Sequence, residues 1–360
     1  MKEALAKICA LQPKYSSANT PEMQERGRLL RGDLVAELKS RLPSMQVGFD
    51  SLFDDLAVEA SDGIGRKTEA PWVRIFSRTM SPNPREGFYI VIHFAADGSA
   101  VFLTVGCGST IWSGGDLRSL PDEELKSRTD WAQAVVIQKF ATLEPFADQI
   151  SLGAKAPLPR TFEKATALAR KIDASRISET DVDGLLVAAA RRLGEIYLAQ
   201  IDRRDVSPGD QAMDEVASIA KPLRRSRRQG QGLSGPERRA VEMRAMELAM
   251  QHLKAEGFSC QDTSANESFD VLAEKQGQRI KVEVKGTTSD ICDSILMTRN
   301  EVELHRSEKG LTALLIVSQI RLHRDVQPPQ ASGGTVEAHL FWDIDTWLAD
   351  PIAFQVSRKS

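Results

Sequence analysis

The sequence predicts two domains. The first is an α+β domain over residues 1–200, with a twisted β-sheet and flanking helices; a basic linker at 201–235 leads to an α/β domain over 236–360. Three observations carry this prediction. A chain of 360 residues is long enough to bury two separate cores. Residues 56–105 have the texture of strands broken by Gly and Asp, and they follow a stretch with helical periodicity. Beyond residue 235 a helix-length pattern gives way to strand-length runs, ending on the continuous apolar stretch 311–317, as a buried central strand requires.

Composition is that of an ordinary globular protein, and a net charge of -3 argues neither for nor against nucleic acid. No apolar stretch approaches the ~20 residues of a membrane span. The Met-Lys-Glu start lacks a secretory signal, so a cytoplasmic location is expected, with no membrane partner. Cys9, Cys107, Cys260 and Cys292 show neither zinc spacing nor a disulfide framework. His93, His252, His305, His323 and His339 are scattered one per element, which argues against a nucleophilic triad.

From the N-terminus, Leu29, Leu30, Leu34 and Leu38 form a helical stripe after a Ser/Asn/Pro-rich break at 16–21. Strand-like runs follow near 56–60, 71–76, 88–94 and 100–105, the last two joined by Ala96-Asp97-Gly98, a hairpin signal. Gly63 and Gly65 lack the third Gly and the Gly-Lys-Ser/Thr of a phosphate loop, so a tight β-connection is expected and no nucleotide. Between 221 and 244, eight basic residues (among them Arg224, Arg225, Arg227 and Arg228) face two acidic ones. Such a run is either a solvated linker or a strap that neutralises DNA phosphates.

Ser234-Gly235-Pro236-Glu237 forms a capping box for a helix over 236–256, closed by Gly257. Its stripe through Met246, Ala249 and Leu253 steps back to Glu242. That carboxylate either sits near the helix start, where dipole and water accommodate it, or serves as a third acidic group at a site. Ile280, Val282 and Val284 alternate with Lys281, Glu283 and Lys285, so a strand places Glu283 and Lys285 on one face. Lys275-Gln276-Gly277-Gln278 turns the preceding run back as a hairpin and brings Asp270 close to Glu283. Residues 294–298 are expected to form a strand running into a helix at Asn300-Glu301. A Glu-x-Lys pair on a strand is often a solvated charged face. With Asp270 beside it, the set supplies two hard oxygen ligands for Mg²⁺, with Mn²⁺ able to substitute, and a cation for water or phosphate.

Asp270 with Glu283-Val284-Lys285 resembles the PD-(D/E)xK nuclease core. The ordered blocks Glu242, Asp270, Glu283-Val284-Lys285-Gly286-Thr287 and Leu296-Met297-Thr298-Arg299-Asn300-Glu301 make residues 235–350 similar to the NO VEIN C-terminal domain family. That family is held to be a nuclease-like branch of the PD-(D/E)xK fold. Its Gly-Tyr-Asp-Ile block reads Ser268-Phe269-Asp270-Val271 here, with the Asp kept. The resemblance implies metal ligation by Asp270 and Glu283, water or charge control by Lys285, and support from Glu242.

Ser61-x-Gly63-x-Gly65, Pro71-Trp72-Val73-Arg74-Ile75-Phe76, the hairpin after them and the segment 162–171 resemble the N-terminal domain of McrB-type (MrcB-like) restriction proteins. This implies reading of DNA that carries a modified cytosine, swung into an aromatic pocket. Trp72, Tyr89 and Trp112 are the candidate walls, with Arg66 and Lys67 as phosphate contacts. On burial statistics alone an isolated Trp in a β-rich domain belongs to the core. No Walker motif is present. The two resemblances together imply a modification-dependent, type IV-like restriction endonuclease acting on duplex DNA, as a homodimer if it cuts both strands. A non-catalytic DNA-binding or adaptor protein with a nuclease-like C-terminal domain is the alternative, and an RNA-directed nuclease a third.

Overall fold

The structure is a computed structural model that describes residues 1–49, 53–63, 65–113, 116–206, 208, 233–264 and 267–351. It divides into two units, Met1–Leu198 and Ala199–Ser360. The first opens with helices α1 (Lys2–Leu11), α2 (Pro21–Arg28) and α3 (Val35–Gln46), the last two joined by a π-helical turn at Leu29–Leu34. Thr20 caps α2, its hydroxyl accepting the Met23 N–H, while Pro21 occupies a position where a missing N–H costs nothing. Leu29, Leu30, Leu34 and Leu38 are all buried.

Strands β1 (Leu56–Ser61), β2 (Trp72–Ser77), β3 (Phe88–Phe94) and β4 (Ala100–Cys107) follow, then a small hairpin of β5 (Thr110–Ser113) and β6 (Asp116–Ser119). Helices α4 (Asp122–Phe140) and α5 (Pro157–Lys164), strand β7 (Thr166–Asp173) and helix α6 (Val182–Ile201) complete this part. The sheet runs β1-β2-β3-β4-β7 and is antiparallel throughout. Strands β3 and β4 are buried at every position, so both faces of the sheet centre are covered. Registers place Val73, Ile75, Ile90, Ile92, Leu103 and Val105 on one face. The opposite face carries Trp72, Arg74, Phe76, Tyr89, Val91 and His93, a mixture that no plain core contains. Tyr197 of α6 ties its helix to the sheet, donating to the Phe88 carbonyl at 2.7 Å and accepting the Ser77 N–H at 3.3 Å.

In the second unit, helix α7 (Gly235–Ala255) begins with a complete capping box between Ser234 and Glu237. Strands β8 (Ser259–Asp262), β9 (Val271–Lys275) and β10 (Gln278–Gly286), helix α8 (Arg299–Ser307), and strands β11 (Thr312–His323) and β12 (Gln330–His339) follow. The sheet order is β12-β11-β10-β9-β8. Strands β10 and β11 pair in parallel, with α8 in the connection between them, and the other neighbours pair antiparallel. Gln276 (φ 51) and Gly277 (φ 83) both take the left-handed conformation that a two-residue hairpin turn needs.

The two faces of this sheet serve different ends. Ile280, Val282, Ala313 and Leu315 pack against Ala249 and Leu253 of α7, and Val317 and Ile320 against its Val241 and Ala245. Leu314 and Ile316 face the other way, into a cluster with Trp342, Ile344, Ile295, Met297 and Val302 of α8. Glu283 and Lys285 pair in register with Leu314 and Ile316 and so belong to this second face. A side chain at Gly286 would bring its Cβ to 2.6 Å from the Ala245 Cβ, so glycine is what lets α7 cross the end of β10.

Residues 294–298 form no strand, contrary to the sequence expectation. Ile295 and Met297 are consumed by packing onto the second face, outside any ladder of the sheet. Three strands still separate α7 from α8, because β8 is one of them, and its sequence Ser259-Cys260-Gln261-Asp262 carries little strand signal. Among the described residues no helix is long and apolar enough to cross a membrane.

Candidate active site and ligand cavity

The turn between β9 and β10 fixes the register Val271 opposite Val282, which leaves Asp270 at the point where the two strands part. The Asp270 N–H donates to the Val282 carbonyl at 3.0 Å, and its carboxylate accepts the Val284 N–H at 2.8 Å. The side chain is thus pinned to β10 between Glu283 and Lys285. Glu283 is 4% exposed, and one of its oxygens lies 2.6 Å from the Lys285 ammonium. The same ammonium reaches Glu301 at 2.7 Å. Thr298 and Glu301 form the capping box of α8, so the Glu301 carboxylate also accepts the Thr298 N–H at 3.0 Å.

The electrostatics follow from this crowding. Burial pushes Glu283 up to about 7; Lys285 pulls against that rise and neighbouring Asp270 adds to it. Burial raises Asp270 as well, against the Val284 N–H and Lys285. Burial works against the Lys285 charge, but Glu283 and Glu301 outweigh it and the ammonium ends above its ordinary value. Burial acts upward on Glu301 too, yet Lys285 and Thr298 hold it below the usual carboxylate value. The pocket therefore combines a firmly charged cation with two carboxylates that resist ionising together.

Asp270, Glu283 and Lys285 are brought together; Glu242 is not. The buried stripe of α7 is Val241, Ala245, Ala249 and Leu253, and Glu242 stands one position off it and is exposed. Helix α7 also covers the sheet face opposite the one that carries Glu283 and Lys285. The third carboxylate at Lys285 is Glu301, which sequence reasoning quoted in a motif without giving it a role. Its signal was the Thr298-x-x-Glu301 capping box, which places that side chain at the N-terminus of a helix facing the strand.

The first unit contains a cavity of about 710 Å³ floored by the mixed face of its sheet. Trp72 lines it, half-buried, and also packs against Ala57, Phe76, Tyr89 and Val91. Tyr89 lines it too but is buried, its hydroxyl donating to the carbonyls of Pro84 at 2.7 Å and Cys107 at 3.3 Å. Arg74 is 1% exposed, pairs with Glu59 at 2.6 Å and lies 3.7 Å over the Phe76 ring. Trp112 sits on β5 opposite Leu117, and its side chain lies outside the described part.

Arg66 is exposed, as a phosphate contact requires. Lys67 is not available in that way: its ammonium lies 2.6 Å from buried Asp62, which also pairs with Arg31, so it holds the loop rather than facing solvent. Arg224, Arg225, Arg227 and Arg228 lie outside the described residues. The start of the linker is anchored within the second unit, Asp202 pairing with Arg324 at 2.6 Å and Arg204 with Asp290 at 3.0 Å.

Residues 10–183 match the family model of the MrcB-like, N-terminal domain. Residues 241–327 match that of Protein NO VEIN, C-terminal. Comparison with curated proteins and with solved structures gave no match. The chain accordingly joins an MrcB-like N-terminal domain to a NO VEIN C-terminal domain.

Proposed function

We propose that this chain is a modification-dependent endonuclease: the first unit reads duplex DNA carrying modified cytosine, and the second, a PD-(D/E)xK-type domain, hydrolyses phosphodiester bonds with Mg²⁺. The observation that carries the proposal is the grouping of Asp270, Glu283 and Lys285, with Glu283 pushed up to about 7 by burial. Titrating groups perturbed by burial together with a specific charge partner cluster at functional sites.

The donor set suits the metal. Among the described residues no group of three or more His, Cys, Asp or Glu side chains is arranged to hold an ion. Mg²⁺ does not need one, since it keeps several waters and takes one or two carboxylates together with substrate phosphate. Asp270 and Glu283 would hold it, and when bound it supplies neutralisation of phosphate charge and a more acidic water. Asp270 is oriented for this by the Val284 N–H. Lys285, held between Glu283 and Glu301, is placed to orient water or to stabilise negative charge growing on the phosphate. Glu301 keeps that ammonium protonated and in position.

In the first unit Trp72 offers the open aromatic surface on which a flipped base would stack, and exposed Arg66 meets backbone phosphate. A double-strand cut would use two chains, each acting on one strand. A non-catalytic role is favoured by one feature alone, the direct ion pair of Glu283 with Lys285. Cleavage of modified DNA in Mg²⁺ by the parent, Asp270→Ala and Glu283→Ala chains decides between the two. The proposal expects both variants to bind DNA and not cut it; variants that cut at the parental rate would refute the metal-site assignment.

A further inference from the structure

Most polar groups on the floor of the cavity in the first unit are satisfied within the protein. Arg74 is taken by Glu59 and the Ser81 hydroxyl, Asp62 by Arg31 and Lys67. The Thr104 hydroxyl donates to the Val91 carbonyl at 3.1 Å, and Tyr89 donates as described. His93 differs. It stands on β3 between Trp72 of β2 and Phe102 of β4, lines the cavity, and is 5% exposed. Its Nδ1 is buried and has no hydrogen-bond partner among the described residues. The ring is held in plane by Phe162, stacked on it at a centroid distance of 5.8 Å and an angle of 22°.

A buried ring nitrogen without a partner is a standing cost that an apolar residue at this position would remove. Nδ1 has no accessible surface and stays in the wall; the nitrogen that a ligand in the cavity can meet is Nε2, which likewise makes no hydrogen bond among the described residues. We propose that His93 is the specificity-determining group of this cavity, hydrogen-bonding an uncharged, planar nitrogen heterocycle, a nucleobase, held in the plane that Phe162 sets. Burial keeps the imidazole neutral, its pKa driven down to about 3. The Nε2 of a neutral imidazole donates or accepts according to the tautomer, so it can meet either the amino group or the ring nitrogen of a base. The buried cation of this face, Arg74, is already neutralised by Glu59, which disfavours an anion beside His93.

This inference rests on the reading of the first unit as a DNA reader, and the test separates the two. The full chain and its His93→Phe, His93→Gln and Trp72→Ala variants are titrated by fluorescence anisotropy against matched duplexes. These carry cytosine, 5-methylcytosine, 5-hydroxymethylcytosine or N4-methylcytosine at one position. His93→Phe, which keeps the stack on Phe162 and loses both nitrogens, is expected to lower discrimination about tenfold or more. Its affinity for plain duplex and its melting temperature should not fall. His93→Gln, which carries its amide near the place of Nε2, should recover part of the discrimination. If the Phe ring does not fit and lowers the melting temperature, His93→Leu with a parental melting curve is judged by the same criterion. A His93→Phe or His93→Leu chain that discriminates like the parent overturns the proposal, and if Trp72→Ala then loses discrimination the cavity reading survives without His93. A parent chain that binds all four duplexes alike overturns both.

Discussion

Replacing Glu301 tests whether the end of α8 is part of the active site. Its carboxylate receives the Thr298 N–H at 3.0 Å and the Lys285 ammonium at 2.7 Å. Glu301→Ala removes both. Loss of the bond from the Thr298 N–H, the Glu301 half of the capping box, costs about 1 kcal/mol. Loss of one of two carboxylates on a half-buried ammonium adds about 1–2 kcal/mol, less than for an isolated buried pair because Glu283 remains. The sum, about 2–3 kcal/mol, corresponds to a fall of roughly 4–12 °C in the melting temperature of a unit this size. Glu301→Gln separates cap from charge, since Gln serves at this position of a capping box and still accepts from Lys285. It should melt within about 1 kcal/mol of the parent. Because Glu283 and Glu301 together hold the Lys285 pKa above its ordinary value, neutralising Glu301 should move the basic limb of the pH–rate profile downward. Thermal melting, with cleavage rates followed from pH 6 to about 11.5 so that the limb above the ordinary Lys value is reached, measures both effects. A Glu301→Gln chain with the parental profile, beside a Glu301→Ala chain that cuts as fast as the parent, would show that Lys285 works without α8.

Gly286→Ala should destabilise the second unit by about 1–3 kcal/mol and slow cleavage, because the new Cβ meets Ala245 at 2.6 Å and forces α7 off the strand that carries Lys285. Parental melting would show that the contact relaxes freely. His93 is neutral in the fold with a pKa of about 3, against 6.5 for the free group, so the unfolded chain binds more protons between those values. Stability therefore falls as pH drops through that window: going from pH 7 to 5 should remove about 2 kcal/mol from the first unit, and His93→Phe should flatten this dependence. Changing Arg224, Arg225, Arg227 and Arg228 together to Ala should weaken binding of modified and plain DNA by the same factor. It should also lower the slope of log affinity against log salt by about one for each phosphate that is no longer neutralised. An unchanged slope returns that run to a solvated linker.

What could be read from the sequence was what local chemistry decides. The alternation Ile280, Val282, Val284 gave β10, Gln276-Gly277 gave its turn, and Ser234-Gly235-Pro236-Glu237 gave the start of α7. From those, the meeting of Asp270, Glu283 and Lys285 followed. What escaped depended on which face a side chain meets. Glu242 lies on a credible stripe only if Met246 defines it, and packing chose Val241 instead. Residues 294–298 have strand-like composition, but their apolar side chains were needed to cover Leu314 and Ile316. Lys67 looked like a phosphate contact because nothing in its neighbourhood of the sequence shows that Asp62 would be buried beside it. His93 gave no signal, since its distinguishing property is a hydrogen-bond partner that it lacks among the described residues.

The most direct test of the account is incubation of the full chain, with and without Mg²⁺, with matched duplexes containing cytosine, 5-methylcytosine, 5-hydroxymethylcytosine or glucosylated cytosine. The account predicts cuts that require Mg²⁺, occur in at least one modified duplex and not in the plain one, and vanish in Asp270→Ala and Glu283→Ala. Equal cutting of modified and plain DNA, or no cutting of any duplex under conditions where the chain binds it, would contradict it.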